Sequence, residues 1–217
     1  MSQFDAIDAA VADIKSGKMV VIVDDEDREN EGDLVMAASK VTADSVNFMA
    51  REGRGLICVP LSEEIAERLD LLPMVLNNSD KKKTNFTVSV DLKEGTSSGI
   101  SMSDRANTIK ALSKSDSKPN DFSKPGHVFP LRAKKSGVLA RAGHTEAAVD
   151  LTMMANLPQV GVICEIIKDD GEMARLPELV EFCKKHNLRI ISIRDLIAYK
   201  GNRTFNVCEV GKTDIVR

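Results

Sequence analysis

Residues 19–33 read Met19-Val20-Val21-Ile22-Val23-Asp24-Asp25-Glu26-Asp27-Arg28-Glu29-Asn30-Glu31-Gly32-Asp33, and this stretch decides the fold. Its first five residues form a continuous apolar run, the pattern of a strand buried on both faces. The ten that follow hold seven carboxylates and one arginine, a local charge of −6 in a chain of net charge −3, so the remainder carries +3. Carboxylates crowded at the end of a buried strand repel one another unless a cation offsets them. Taken alone, the loop is either a solvated acidic turn or a site for a hard, oxygen-seeking ion such as Mg²⁺, with a carboxylate beside it able to act as a base. The end of a buried strand is a common site position in α/β folds. An EF-hand does not fit, because Asn30 stands where that loop needs glycine when counted from Asp25.

Working outward, helix and strand periodicities alternate without a linker or an internal repeat. Residues 5–16 place Ile7, Ala10, Val11 and Ile14 on one helical face that Gly17 ends. Leu34–Ala38 and Gly55–Leu61 read as short strands, and 43–53 as a helix burying Val46, Met49 and Ala50. Ser62 caps a helix carrying Ile65, Ala66 and Leu69. Thr84–Val90 alternates as a half-exposed strand, and Ser103–Leu112 reads as a helix. Ser113–Pro130, rich in Ser, Lys, Pro and Asp, reads as a long loop. A strand at Gly137–Ala140, a helix at Glu146–Ala155, a strand at Val160–Ile166, a helix opened by Pro177 and a strand at Arg189–Ile193 complete one mixed α/β domain.

Composition narrows the function. With 217 residues, 42% hydrophobic and 29% charged, the chain is an ordinary globular one. Its slightly negative charge gives no reason to expect nucleic acid or an anionic membrane as partner. No apolar run reaches the length of about eighteen residues that a membrane span needs. The N-terminus carries acids and lacks an apolar core, which predicts a cytoplasmic protein. Cys58, Cys164, Cys183 and Cys208 are widely spaced, with no C-x-x-C and no histidine at zinc-finger spacing, so the cysteines read as reduced.

A second constellation, Arg141-Ala142-Gly143-His144-Thr145, stands directly before a helical pattern. A helix N-terminus offers unpaired N–H groups to a phosphate, Arg141 adds a forked cation, and His144 can bind metal or move protons. The plainer alternative is a capped turn with Thr145 as the N-cap. Three weaker signals are His127 in a loop ahead of a strand, Glu165 near the end of the apolar run 160–164, and the polar stretch Asn77–Asn85 with three successive lysines. That stretch is either a surface loop or a cover for a bound sugar phosphate.

In order along the chain stand Asp-Asp-Glu-Asp-Arg-Glu-Asn-Glu-Gly-Asp at 24–33, Gly-Leu-Ile-Cys at 55–58, Ser-Gly-Ile-Ser at 98–101 with Asp104-Arg105, Pro-Gly-His-Val-Phe-Pro at 125–130, Arg-x-Gly-His-Thr at 141–145 and Cys-Glu-Ile at 164–166. Together they resemble the 3,4-dihydroxy-2-butanone 4-phosphate synthase family over roughly residues 6–200. The resemblance implies an α+β fold, a single domain over 1–200 with a mixed β-sheet flanked by helices in a three-layer-like arrangement, and a homodimer with sites near the interface. It implies an Mg²⁺-dependent lyase, with Mn²⁺ able to substitute, acting on D-ribulose 5-phosphate in riboflavin biosynthesis. By the same resemblance Glu29 and His144 are metal ligands, His127 and Glu165 are essential to catalysis, and Arg28, Glu29, Asp33, Arg141, Ala142, Gly143, His144, Thr145 and Glu165 bind substrate. Cys58 lies near the family's pocket without an assigned role.

Two departures stand out. Met102 replaces the small residue expected after Ser101, narrowing that part of the pocket, and residues 201–217 match no known pattern. The clustered zinc cysteines of relatives that continue into a GTP cyclohydrolase II domain are absent, so the chain is either monofunctional or the N-terminal half of a longer protein. The rival readings are a metal-dependent sugar-phosphate isomerase or aldolase, and a non-catalytic module that binds Mg²⁺ or phosphate. The second leaves His127 and Glu165 without a purpose.

Overall fold

The acidic loop is the turn of an antiparallel hairpin, with Val23 paired to Gly32 and Val20 to Val35. The computed structural model describes residues 3–210, with side chains described through residue 202. Within them the strands are β1 (Val20–Val23), β2 (Gly32–Ala37), β3 (Cys58–Leu61), β4 (Val90–Leu92), β5 (Phe122–Arg132), β6 (Gly161–Glu165) and β7 (Arg189–Ser192). The helices are α1 (Ile7–Lys15), α2 (Ala43–Phe48), α3 (Glu63–Arg68), α4 (Met102–Ser113), α5 (His144–Met154), α6 (Leu176–His186) and α7 (Ile193–Val210). All the strands join one mixed sheet in the order β4-β5-β3-β6-β2-β1-β7. The β1–β7 and β3–β5 pairs are parallel, and the others are antiparallel.

Strand alternation divides the core in two. Val21, Val23, Leu34, Met36, Val162 and Cys164 point to one face, where Val46 of α2, Met49 just after it, Ile109 and Leu112 of α4 and Leu179 of α6 cover them. Val20, Ile22, Val35, Ala37 and Ile163 point to the other, against Ile7, Ala10 and Ile14 of α1, Ala147, Ala148 and Leu151 of α5, and Leu196 of α7. The three-layer α+β expectation is met, and β1 is buried on both faces as its unbroken apolar run requires. No described helix is long and apolar enough to cross a membrane.

Several local expectations are corrected. The second half of the anticipated loop 113–130 is strand: β5 begins at Phe122, after a short 3₁₀ turn at Pro119–Asp121. Gly137–Ala140 is not a strand. Ser136 and Gly137 take φ of +77° and +62°, which a strand excludes, and a 3₁₀ turn follows. Thr84–Val90 makes only isolated bridges, such as Phe86 to Leu131, before β4 starts at Val90. The helix expected over 43–53 changes to a π-turn at Met49–Gly53, leaving Ala50 half-buried. Gly143, and not Thr145, is the N-cap of α5, so Thr145 sits inside the first turn.

Candidate functional site

Alternation along two neighbouring strands builds the site. Asp33 on β2 pairs in register with Glu165 on β6. Asp33 shares its face with Val35 and Ala37, and Glu165 shares its face with Ile163, so both carboxylates point to the α5 side. Cys58, at the start of β3, pairs with Ile163 and joins them. The first residue of α5 then brings His144 over Asp33. Its Nδ1 lies 4.0 Å from Asp33 Oδ1 and 3.8 Å from Glu29 Oε2. The cavity so formed has a volume of about 180 Å³. The sequence candidates Arg28, Glu29, Asp33, Arg141, His144, Thr145 and Glu165 all line it. So do Thr84 and Phe86, which the sequence did not single out.

The acidic loop is ordered by its own first residue. Asp24 is buried, and its carboxylate accepts from the N–H of Glu31 at 2.9 Å, the N–H of Glu29 at 3.1 Å and Arg28 Nη1 at 2.9 Å. With so many donors already satisfied, Asp24 organises the loop and leaves Glu29 to face His144. Arg28 Nη1 also donates to Glu29 Oε2 at 2.7 Å. From across the fold, Arg175 ahead of α6 donates to the carbonyls of Glu29 and Asn30. Nothing in the local sequence marks Arg175 for this task, because its partners lie some 145 positions away.

Electrostatics give each titratable group a distinct state. The His144 imidazole 3.8 Å away, together with the Arg28 charge, holds Glu29 down at about 2 against the desolvation that opposes it. Burial pushes the Asp33 carboxyl well above the usual range, and neighbouring Glu165 and Glu29 push it the same way. Burial alone would lower His144, but the Asp33 charge and the nearby Glu29 carboxylate outweigh it and raise the imidazole to about 9. Cys58 is kept a thiol by burial, with the Glu165 charge adding to the effect, so it is not a ready nucleophile. The Glu165 carboxylate accepts from the N–H of Leu56 at 2.8 Å. Gly55 permits this approach, since a Cβ there would stand 2.4 Å from Glu165 Oε2.

Two arginines, Arg28 and Arg141, line the cavity beside its carboxylates. Arg141 donates through Nη1 to Glu146 Oε2 at 2.7 Å and through Nη2 to the Lys82 carbonyl at 3.0 Å. Lys82 in turn donates to the Arg28 carbonyl. The lysine-rich stretch therefore packs at the cavity entrance between the two arginines. Ala142 is exposed, and neither it nor Gly143 lines the cavity. His127 also stands apart, midway along β5 at the close of its exposed first half, rather than in the loop expected for it. Met102 does not narrow the cavity: it packs against the core on the opposite face of the sheet, its sulfur accepting from Arg105.

A ring nitrogen of His144 and one oxygen each of Glu29 and Asp24 lie within 4.8 Å of one another. His144 Nε2 is buried without a hydrogen-bond partner. Hard carboxylate oxygens beside a buried imidazole that keeps one nitrogen unbonded are a donor set that would suit a divalent cation. A larger groove of about 450 Å³, between Arg51, Arg54 and Glu178 on the α6 side, has no such cluster. Ligation requires neutral imidazole, so the cation must displace the His144 proton. Mg²⁺ affinity is therefore expected to rise by up to about tenfold per pH unit from about pH 7 and to level off near pH 9. Calorimetric titration across that range checks this, and a pH-independent affinity would exclude His144 as a ligand.

A mixed α/β/α sandwich with carboxylates and a histidine under two arginines defines a site suited to a metal ion and an anionic ligand. A family profile described as 3,4-dihydroxy-2-butanone 4-phosphate synthase matches residues 8–199. The chain is 60% identical to the riboflavin biosynthesis protein RibBA of Aquifex aeolicus over 203 residues, covering 93% of this chain and 50% of that protein. To RibBA of Bacillus subtilis it is 58% identical over 201 residues, with the same coverage. It thus spans about half the length of these curated relatives. A crystal structure of 3,4-dihydroxy-2-butanone 4-phosphate synthase in complex with two magnesium ions superimposes with a TM-score of 0.89 at 43% identity, over 92% of this chain and 98% of that one. The chain belongs to the 3,4-dihydroxy-2-butanone 4-phosphate synthase family.

Proposed function

We propose that the chain converts D-ribulose 5-phosphate to L-3,4-dihydroxy-2-butanone 4-phosphate and formate, as a cytoplasmic lyase of riboflavin biosynthesis. The observation that carries this reading is the gathering of Glu29, Asp33, His144 and Glu165 in one small cavity whose mouth is lined by Arg28 and Arg141. Its volume suits a small polar metabolite better than a drug-sized ligand. The reaction enolises the sugar, removes a hydroxyl, shifts the carbon skeleton and expels C4 as formate. Mg²⁺, or Mn²⁺ in its place, would neutralise charge developing on adjacent sugar oxygens when held by Glu29 and His144.

The chain's own groups supply the rest. Arg28 and Arg141 pair with the phosphate at the mouth, and the first N–H groups of α5, from His144 and Thr145, add donors there. Ala142 and Gly143, which do not line the cavity, form the turn that sets Arg141 and the start of α5 beside it. Glu165, oriented by the Leu56 N–H, moves protons on the sugar, while Asp33, whose burial favours its protonated form, faces the same carbons.

The active form in this reading is a homodimer, with His127 supplied across the interface. Within one chain His127 stands outside the cavity that holds Glu165. Leu56, whose N–H binds Glu165, and Ile100, next to the Gly99 backbone at His127, are 45% and 52% exposed, so each has apolar surface that a second copy could cover. Product analysis with substrate labelled at C4 tests the function. Label recovered as formate supports it, and label retained in a five-carbon sugar phosphate would mean isomerisation instead.

A further inference from the structure

Lys124–His127 leave the β4–β5 ladder. Val90 pairs with Val128 and Asp91 pairs with Ser123, so four residues of β5 have no partner on β4. Such irregularities re-aim side chains and recur beside functional sites. Here the displaced segment turns His127 back onto Asp91. The His127 N–H donates to Asp91 Oδ1 at 2.8 Å, and Nδ1 lies 2.6 Å from Asp91 Oδ2. Both carboxylate oxygens are thus committed to one histidine. The clamp is closed from a third side by Gly99 at φ +90°, where a Cβ would stand 2.2 Å from Asp91 Oδ2 and 2.8 Å from His127 Nδ1. The Asp91 side chain is 14% exposed and that of His127 45%, so the ring's far edge faces outward. Among the described residues nothing bonds His127 Nε2.

We propose that Asp91 is a positioning residue that fixes His127 as the Nδ1–H tautomer, leaving Nε2 as the nitrogen that exchanges a proton with substrate. The proposal deepens the synthase reading and rests on it for the role of His127, though not for the tautomer. The chemistry follows from the acceptor. An ionised carboxylate can only accept, so the nitrogen facing it must carry the proton. Because one carboxylate grips both the backbone N–H and the ring Nδ1 of His127, the side chain is held in one orientation that aims Nε2 outward, the service a buried carboxylate gives a catalytic histidine in other enzymes.

The test combines a tautomer measurement with kinetics on the full chain. Nitrogen NMR of the neutral His127 ring, assigned by its loss in His127→Asn, is expected to show Nδ1 protonated in the unaltered protein. Free histidine prefers the opposite tautomer, and finding Nε2–H here would overturn the proposal without any variant. In Asp91→Asn the amide can present N–H to Nδ1 and invert the tautomer, so kcat is expected to fall at least about 100-fold while KM moves less than about threefold. Asp91→Glu, which keeps an acceptor, is expected to restore part of that loss. A folded Asp91→Asn with an unchanged tautomer or near-normal kcat would contradict the proposal. Absence of formate release from the unaltered protein would sink the synthase reading alone, since the ring protonation is measured separately.

Discussion

Replacing Glu165 with glutamine is expected to lower formate release by about 10²–10⁴-fold, the usual loss when a proton-transferring group is removed. Glutamine keeps the size of the side chain and an oxygen that can still accept from Leu56 N–H, so the strand end and the cavity should survive. Binding of ribulose 5-phosphate should change little, because Arg28 and Arg141 are untouched. Turnover measured by formate release, beside substrate affinity by calorimetry, separates the two effects. Near-normal turnover would remove Glu165 from the chemistry, and lost binding with unchanged turnover at saturation would make it a substrate anchor only.

The second large effect belongs to His144. His144→Asn removes the one imidazole that faces Glu29 and Asp33. Losing even an outer partner of a metal ligand typically costs 10–100-fold, so Mg²⁺ affinity is expected to fall by at least about 100-fold, and activity at fixed Mg²⁺ with it. The metal-free protein should also lose stability, by about 3 kcal/mol or less, because the buried Asp33 loses its imidazole neighbour, while Glu29 keeps Arg28 and Asp33 escapes part of the cost by taking up a proton. Circular dichroism with added Mg²⁺ checks that the variant folds. Unaltered Mg²⁺ affinity in a folded protein would move the ion away from His144.

What the sequence disclosed follows from how local each signal is. β1 was legible because a strand covered on both faces must be apolar without interruption, and α5 by its helical pattern, although its cap is Gly143 and not Thr145. The acidic loop announced itself by charge density alone. β5 was hidden: its first half is solvent-exposed from Ser123 to Lys124 and loses the ladder, while Pro125, Gly126 and Pro130 give it the composition of a loop. Pro130 has no N–H to give the ladder, and only its carbonyl is used, accepting from the N–H of Thr87 at 3.0 Å. The site's first ring of groups was named by motif. Its supports were not, because Asp24 looks like any other carboxylate in the run, Arg175 reaches back from before α6, and Asp91 meets His127 across 36 positions.

Formate release from ribulose 5-phosphate by the purified chain, with Mg²⁺ and then with excess EDTA, decides whether the cavity carries out the synthase reaction. Formate is expected in step with substrate consumption when Mg²⁺ is present, and none once it is chelated. No formate from folded protein that demonstrably binds Mg²⁺ would contradict the synthase reading, and would mean that this cavity serves a different sugar phosphate or binds without reacting.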